Sequence, residues 1–192
     1  MDYNFSVIKD KLIEGKIGVI PTDTIYGLVG TALNKQTVQR IYETKGRAPE
    51  KPLIILIGST KDLGYFNINP NSESLKILNK YWPGKVSIIL PCPNGKFEYL
   101  HRGTRTLAFR FPDFPELISL INQTGPLVAP SANPEGLTPA ATIVDAKRYF
   151  GSKIDFYVNG GKRESEPSTL ISIDNGKIKI LREGAVKIIH TV

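Results

Sequence analysis

The sequence predicts an α/β protein in which helices pack on a twisted mixed β-sheet. Two observations carry that prediction. Segments of helical period alternate with short apolar runs as far as residue 150, and beyond it several strand-like runs follow one another directly. A third refines it: Leu53-Ile54-Ile55-Leu56-Ile57 is an unbroken apolar run of strand length, the pattern of a strand buried on both faces.

Taken in order, Phe5, Ile8, Leu12 and Ile13 recur at helical spacing and predict a helix over 5–14, ended by Gly15. Ile17-Gly18-Val19-Ile20 reads as a strand, and Pro21 starts a polar turn. Val38, Ile41 and Tyr42 share one face of a second helix over 35–45, which the 53–57 strand follows. A third helix over 72–81 stops at Trp82-Pro83-Gly84, and the next strand covers 86–90. Pro91, Pro93, Asn94-Gly95 and Arg102-Gly103 make 91–104 loop-like. A strand at 107–109, a helix over 115–123, a strand at 126–129 and a helix over 141–150 come next. Residues 154–158, 168–173, 177–181 and 186–190 are strand-like, with Asp174-Asn175-Gly176 a hairpin signal between the middle two. The stretch from Gly160-Gly161-Lys162-Arg163 to Pro167 reads as a mobile surface loop.

At 192 residues one domain, 1–192, is the expectation, with no further C-terminal domain. Hydrophobic content of 41% and charged content of 22% are those of an ordinary globular protein. No apolar run approaches the roughly 20 residues that cross a bilayer, and Met1-Asp2-Tyr3-Asn4 does not open a signal peptide. The single Cys92 forms no internal disulfide. A cytoplasmic protein without membrane partners is therefore expected. The net charge of +7 favours anionic partners such as nucleotides, tRNA or an acidic protein, and is equally the charge of a Lys-rich solvated surface.

The familiar nucleotide and zinc patterns are absent: there is no Gly-x-x-x-x-Gly-Lys-Ser/Thr loop, no Gly-x-Gly-x-x-Gly after a strand and no His-Glu-x-x-His. His101 and His190 are read as surface residues, and no metal site is assigned. Two short patterns stand out instead. Lys45-Gly46-Arg47 leaves a helix end, where the two cations can converge on one anion; locally it is also an ordinary cationic helix C-terminus. Pro130-Ser131-Ala132-Asn133 follows the buried run at 126–129, where a turn presents polar side chains and backbone N–H groups; locally Ser131 and Asn133 also suit a turn that satisfies its own backbone. Asp23, between Thr22 and Thr24, fits an Asx-type turn. Arg110 ends an apolar strand, so its charge needs a partner, naturally a carboxylate, and Thr106 shares its face by the two-residue period.

Together these blocks resemble the Lys-x-Arg…Ser-x-Asn signature of the Sua5/YrdC/YciO family. The agreement in order extends to Val19-Ile20-Pro21-Thr22-Asp23-Thr24-Ile25-Tyr26-Gly27-Leu28, Lys45–Leu53, Trp82-Pro83-Gly84, Thr106–Pro112, Pro167-Ser168-Thr169 and Leu181-Arg182-Glu183-Gly184-Ala185. Ala48 and Glu183 stand where many members have Pro, and Lys51 where many have Asn.

The resemblance implies a single YrdC/RibB-like domain, its mixed sheet flanked by helices around a concave, positively charged pocket. It implies a nucleotidyltransferase that makes threonylcarbamoyl-AMP and pyrophosphate from L-threonine, bicarbonate and ATP. Mg²⁺ is expected with ATP, held mainly by phosphate oxygens. A partner transferase then moves the threonylcarbamoyl group to the adenosine beside the anticodon of ANN-reading tRNAs. Residue by residue, the resemblance implies catalytic roles for Lys45, Arg47, Ser131 and Asn133. It implies ATP contacts for Arg47, Lys51, Thr106, Ser131, Asn133, Thr138 and Arg182, and threonine contacts for Thr24, Tyr26, Arg110, Ala129, Ser131 and Ser168. Two rivals are a YciO-like paralogue with weak or different carbamoyl or nucleotide activity, and a non-catalytic RNA-binding module. The second calls for aromatic residues interleaved with the cations on a surface.

Overall fold

The computed structural model describes residues 5–174 and 176–189. Met1-Asp2-Tyr3-Asn4, Asn175 of the hairpin signal and His190 lie outside the described residues. Among those described, the strands are β1 (Gly18–Pro21), β2 (Tyr26–Thr31), β3 (Ile54–Leu56), β4 (Val86–Pro91), β5 (Thr106–Arg110), β6 (Leu127–Val128), β7 (Phe156–Tyr157), β8 (Thr169–Asp174) and β9 (Lys177–Arg182). They form one sheet in the order β7-β1-β2-β6-β3-β5-β4-β8-β9. It is mixed: β1/β7, β3/β5 and β4/β8 are parallel, and the other neighbours are antiparallel. The helices are α1 (Ser6–Ile13), α2 (Lys35–Lys45), α3 (Ser72–Tyr81), α4 (Glu98–His101), α5 (Pro115–Thr124) and α6 (Ile143–Phe150).

Strand alternation separates the two faces. Val128, Ile55, Phe109, Ile88 and Ile171 pair in register across five strands, and each is fully buried. This row belongs to the larger core, with Val38, Ile41 and Tyr42 of α2, Leu78 of α3, Leu100 of α4 and Phe150 of α6. The opposite face carries Ile20, Val29, Leu56 and Leu127 under Phe5, Ile8 and Leu12 at α1 and Leu117, Leu120 and Ile121 of α5. That second layer covers β1, β2, β6 and β3. On the same face, Ile89, Thr106, Ala108, Arg110 and Leu170 from β4, β5 and β8 line an open cavity instead. The cavity lies there because a helix layer stops short.

Helix ends follow local chemistry. Asn34 caps α2 through its side chain, which accepts from the Thr37 N–H at 3.0 Å. Gly46 takes the left-handed conformation (φ 61°) just past the helix. The Gly46 N–H donates to the Glu43 carbonyl and the Arg47 N–H to the Tyr42 carbonyl, so the chain reverses between Lys45 and Arg47. Thr142 and Asp145 form a capping box at α6.

The structure corrects several expectations. Pro21 is the last residue of β1, paired with Tyr26, rather than the start of the turn. Tyr26–Thr31 is a strand, hidden from pattern reading because it is buried on both faces and contains Gly27 and Gly30. Short 3-10 turns at Thr60–Phe66 and Gly95–Phe97, and α4, occupy stretches without a readable period. His101 is buried, its Nδ1 accepting from the Gly103 N–H at 3.2 Å. Residues 186–189 are not a strand; the Thr169 hydroxyl donates to the Val186 carbonyl and accepts from its N–H, supplying what a ladder would. The 160–167 loop is anchored: the Gly160 N–H donates to the Tyr26 hydroxyl, which donates to the Gly161 carbonyl, and Ser165 Oγ donates to the Thr24 carbonyl at 2.6 Å.

Gly184 crosses the start of β8 so closely that a Cβ there would lie 2.3 Å from the Pro167 carbonyl oxygen and 2.8 Å from Thr169 N. Gly184→Ala must push backbone from backbone and is expected to cost about 1–3 kcal/mol. Chemical denaturation measures it; an unchanged midpoint would contradict the close approach.

Candidate active site

The uncovered face of β4, β5 and β8 floors a cavity of about 490 Å³, within the usual range for small-molecule sites. Its walls come from the β1–β2 turn, Arg47, residues 50–54, residues 129–131, Pro167-Ser168 and Arg182. Arg47, Lys51, Arg110 and Arg182 line it, against one lining carboxylate, Glu50. Thr24, Tyr26, Thr106, Ala129, Ser131 and Ser168 also line it. Ten of the residues singled out in the sequence thus share one cavity.

Three do not line it. Lys45 lies behind the wall, 3% exposed. Its ammonium donates to the Ser131 carbonyl at 2.7 Å, to the Asn133 carbonyl at 2.6 Å and to Asn133 Oδ1 at 3.1 Å, with Ser131 Oγ at 3.4 Å. Asn133 spends its amide on the Pro134 and Leu137 carbonyls. The Lys-x-Arg and Ser-x-Asn blocks therefore bond to each other. Thr138 is exposed, and its carbonyl accepts from the Tyr149 hydroxyl.

Lys45 and Arg47 do not converge. The αL turn at Gly46 sends Arg47 the other way, where Nε donates to the Lys51 carbonyl and Nη2 to the Pro52 carbonyl. Arg47 thereby folds the 47–52 segment around itself. Burial and the Arg47 charge pull the Lys45 ammonium down to about 8. The Glu135 charge opposes that loss.

Arg110 has an internal partner. Its Nη1 lies 3.1 Å from Asp23 Oδ1, with both side chains almost wholly buried, and donates to Thr24 Oγ1 at 3.0 Å. Its Nε has no hydrogen-bond partner, so the guanidinium keeps unspent donor capacity. Burial, and the charge of Arg182, push its proton affinity down, and Asp23 holds it up. The turn carrying Asp23 is tied by Thr22, whose hydroxyl donates to the Ile25 carbonyl and accepts from the Thr24 N–H. On the far wall, Ser168 Oγ lies 2.8 Å from Ser87 Oγ, and Arg182 Nη2 donates to the Ser168 carbonyl at 2.7 Å. Burial lowers the pKa of Arg182, and the Arg47 charge adds to it. Two of the four lining cations thus feel a neighbour's charge, while Asp23 pairs with Arg110 and Glu135 with Lys51.

Sequence reasoning missed three contributors. Asp23 stood inside a recognised block but was read as a turn residue, and its distant partner Arg110 was the missing signal. Ser87 and Glu135 carried no signal of their own. Among the described residues, no group of three or more His, Cys, Asp or Glu side chains comes together, and no helix is long and apolar enough to cross a membrane.

The Sua5/YciO/YrdC family model, described as "Telomere recombination", matches residues 10–184. A threonylcarbamoyl-AMP synthase of Bacillus subtilis is 32% identical over 178 residues, 91% of this chain and 51% of that protein. One of Marinobacter nauticus is 33% identical over 182 residues, 90% of this chain and 92% of that protein. The crystal structure of Pyrococcus abyssi Sua5 complexed with L-threonine superposes with a TM-score of 0.85 at 31% identity, covering 93% of this chain and 53% of that one. The chain thus spans about half the length of the Bacillus and Pyrococcus proteins and most of the Marinobacter one.

The Lys45 strut is directly testable. Lys45→Met leaves the Ser131 and Asn133 carbonyls without their donor and is expected to cost about 1.5–3 kcal/mol, the range for hydrogen bonds to a charged group. Amide exchange at neutral pH is expected to speed up across 131–137 more than in β3 or β5. Uniform exchange and an unchanged unfolding midpoint would rule the strut out.

Proposed function

This chain belongs to the Sua5/YciO/YrdC family, and on that premise we propose that it is an L-threonylcarbamoyladenylate synthase. The observation that carries the proposal is the cavity itself, where Arg47, Lys51, Arg110 and Arg182 face one space beside Thr24 and Ser168. The reaction brings a carbamate and a triphosphate together, so neutralising charge is its first requirement. A single aromatic, Tyr26, is among the described lining residues, which favours a concave small-molecule site over a base-stacking RNA surface.

In this reading the threonine amine and bicarbonate condense to N-carboxy-threonine with loss of water. A carbamate oxygen then attacks the α-phosphorus of ATP, the bond to the bridging oxygen breaks, and pyrophosphate leaves. No covalent protein intermediate is needed; the chain supplies position and charge. Arg110 takes the threonine carboxylate, with Thr24, Tyr26, Ala129 and Ser168 around the amino acid. Arg47, Lys51 and Arg182 take the phosphates, with Thr106 and Ser131 toward the nucleotide; Thr138, outside the cavity, takes no part. Lys45 and Asn133 act on the reacting groups through the loop they hold, presenting Ser131 to the cavity. Mg²⁺ enters as part of the ATP substrate and offsets phosphate charge. The product is passed to a threonylcarbamoyl transferase that acts on tRNA.

Purified protein with MgATP and bicarbonate is expected to release pyrophosphate far faster with L-threonine than without an amino acid; equal rates would sink the proposal. Arg110→Ala is expected to weaken L-threonine binding about tenfold to a hundredfold, the loss of a charge-assisted pair, and ATP binding much less. Calorimetry on the folded variant distinguishes this from an equal loss of both ligands, which would contradict the assignment.

A further inference from the structure

Glu135 belongs to none of the roles above, yet it bonds directly to the cavity wall. Its Oε2 accepts from the Ala48 N–H at 2.6 Å, and its Oε1 accepts from Lys51 Nζ at 2.5 Å. Its own N–H donates to the Lys45 carbonyl at 2.9 Å, so the residue is fixed at both ends. The hydrogen bonds from Lys51 and from the Ala48 N–H hold the Glu135 carboxyl below the usual carboxylate range, and the Lys51 and Arg47 charges add to that, so it is ionised at neutral pH. A backbone N–H and an ammonium side by side, with a guanidinium charge close by, are the donors that bind a phosphate oxygen. Here a carboxylate from the chain itself fills that place. Lys51 lines the cavity, so its charge is neutralised from within while Glu135 stays bound.

We propose that Glu135 is an affinity-setting residue, an internal carboxylate that competes with the outer phosphates of a polyphosphate ligand for the Ala48 N–H and Lys51. This rests on the reading that the cavity takes a nucleoside triphosphate. Binding exchanges one anion for another at this point, and Glu135, already part-exposed, swings into water. The competition also weakens retention of pyrophosphate, the leaving product, and so favours its release. The alternative role for Glu135, a clasp that only orders the 46–52 segment, predicts the opposite sign: without the clasp, phosphate binding weakens or stays the same.

The test is calorimetry with inorganic pyrophosphate and tripolyphosphate at fixed ionic strength on wild type, Glu135→Gln and Glu135→Ala. Both variants are expected to bind about tenfold more tightly, the factor for one charge-assisted hydrogen bond at the low end of its range. In a Lys51→Ala background most of that gain is expected to vanish, because the contested donor is gone. Wild-type binding that is unchanged or weakened by both variants would overturn the competition and leave the triphosphate reading standing. A gain that persists in full without Lys51 would also overturn it, reducing the effect to net charge. No polyphosphate binding by any of the proteins would bring down the triphosphate reading and this inference together.

Discussion

A buried guanidinium organises this site. Arg110 sits at the end of β5 with its side chain almost wholly out of water, and a charge so placed is tolerated only with a partner and satisfied hydrogen bonds. Asp23 supplies the charge partner and Thr24 one hydrogen bond, from the turn between β1 and β2, with β6 and β3 lying between β2 and β5 in the sheet. That need draws the Thr22–Ile25 turn over the sheet face that α1 and α5 leave uncovered. The cavity is the space between this turn, the strand floor and the two clasped loops.

The walls depend on a second set of interactions that couple distant segments. Lys45 holds 131–133 by its ammonium, while Glu135 reaches back from the same loop to Ala48 and Lys51. Across the cavity, Arg182 holds Ser168, and Gly184 lets those segments touch. Each contact joins residues far apart in sequence, so the site exists only once the sheet is assembled. Arg47, Arg110 and Arg182, held around one cavity, then feel one another's charge.

The fold was legible where one physical rule dominated. Helices over 35–45 and 72–81 match the observed Lys35–Lys45 and Ser72–Tyr81, because an apolar stripe and clear caps or breakers agreed there. Tyr26–Thr31 was not legible, since a strand buried on both faces with two glycines shows no alternation. Nor was 186–189, whose strand-like composition is overridden by the Thr169 hydroxyl. At the site, residue types were readable and their directions were not. Lys45 and Arg47 looked like one anion clamp, but the αL glycine between them sends the first into the Ser131–Asn133 loop and the second toward the cavity. Arg110 was recognised as needing a carboxylate, but Asp23, 87 positions away, becomes its neighbour only through the sheet order. Glu135 is invisible in sequence because nothing local marks it.

The central claim is that one cavity takes an amino acid at Arg110 and a triphosphate across Arg47, Lys51 and Arg182. A crystal structure with L-threonine and a non-hydrolysable ATP analogue tests it most directly. The account predicts the threonine carboxylate on the Arg110 guanidinium beside Thr24 and Ser168, and phosphate oxygens within hydrogen-bond distance of Arg47, Lys51 and Arg182. Ligands bound elsewhere on the protein, or a cavity that stays empty at saturating concentrations, would contradict it.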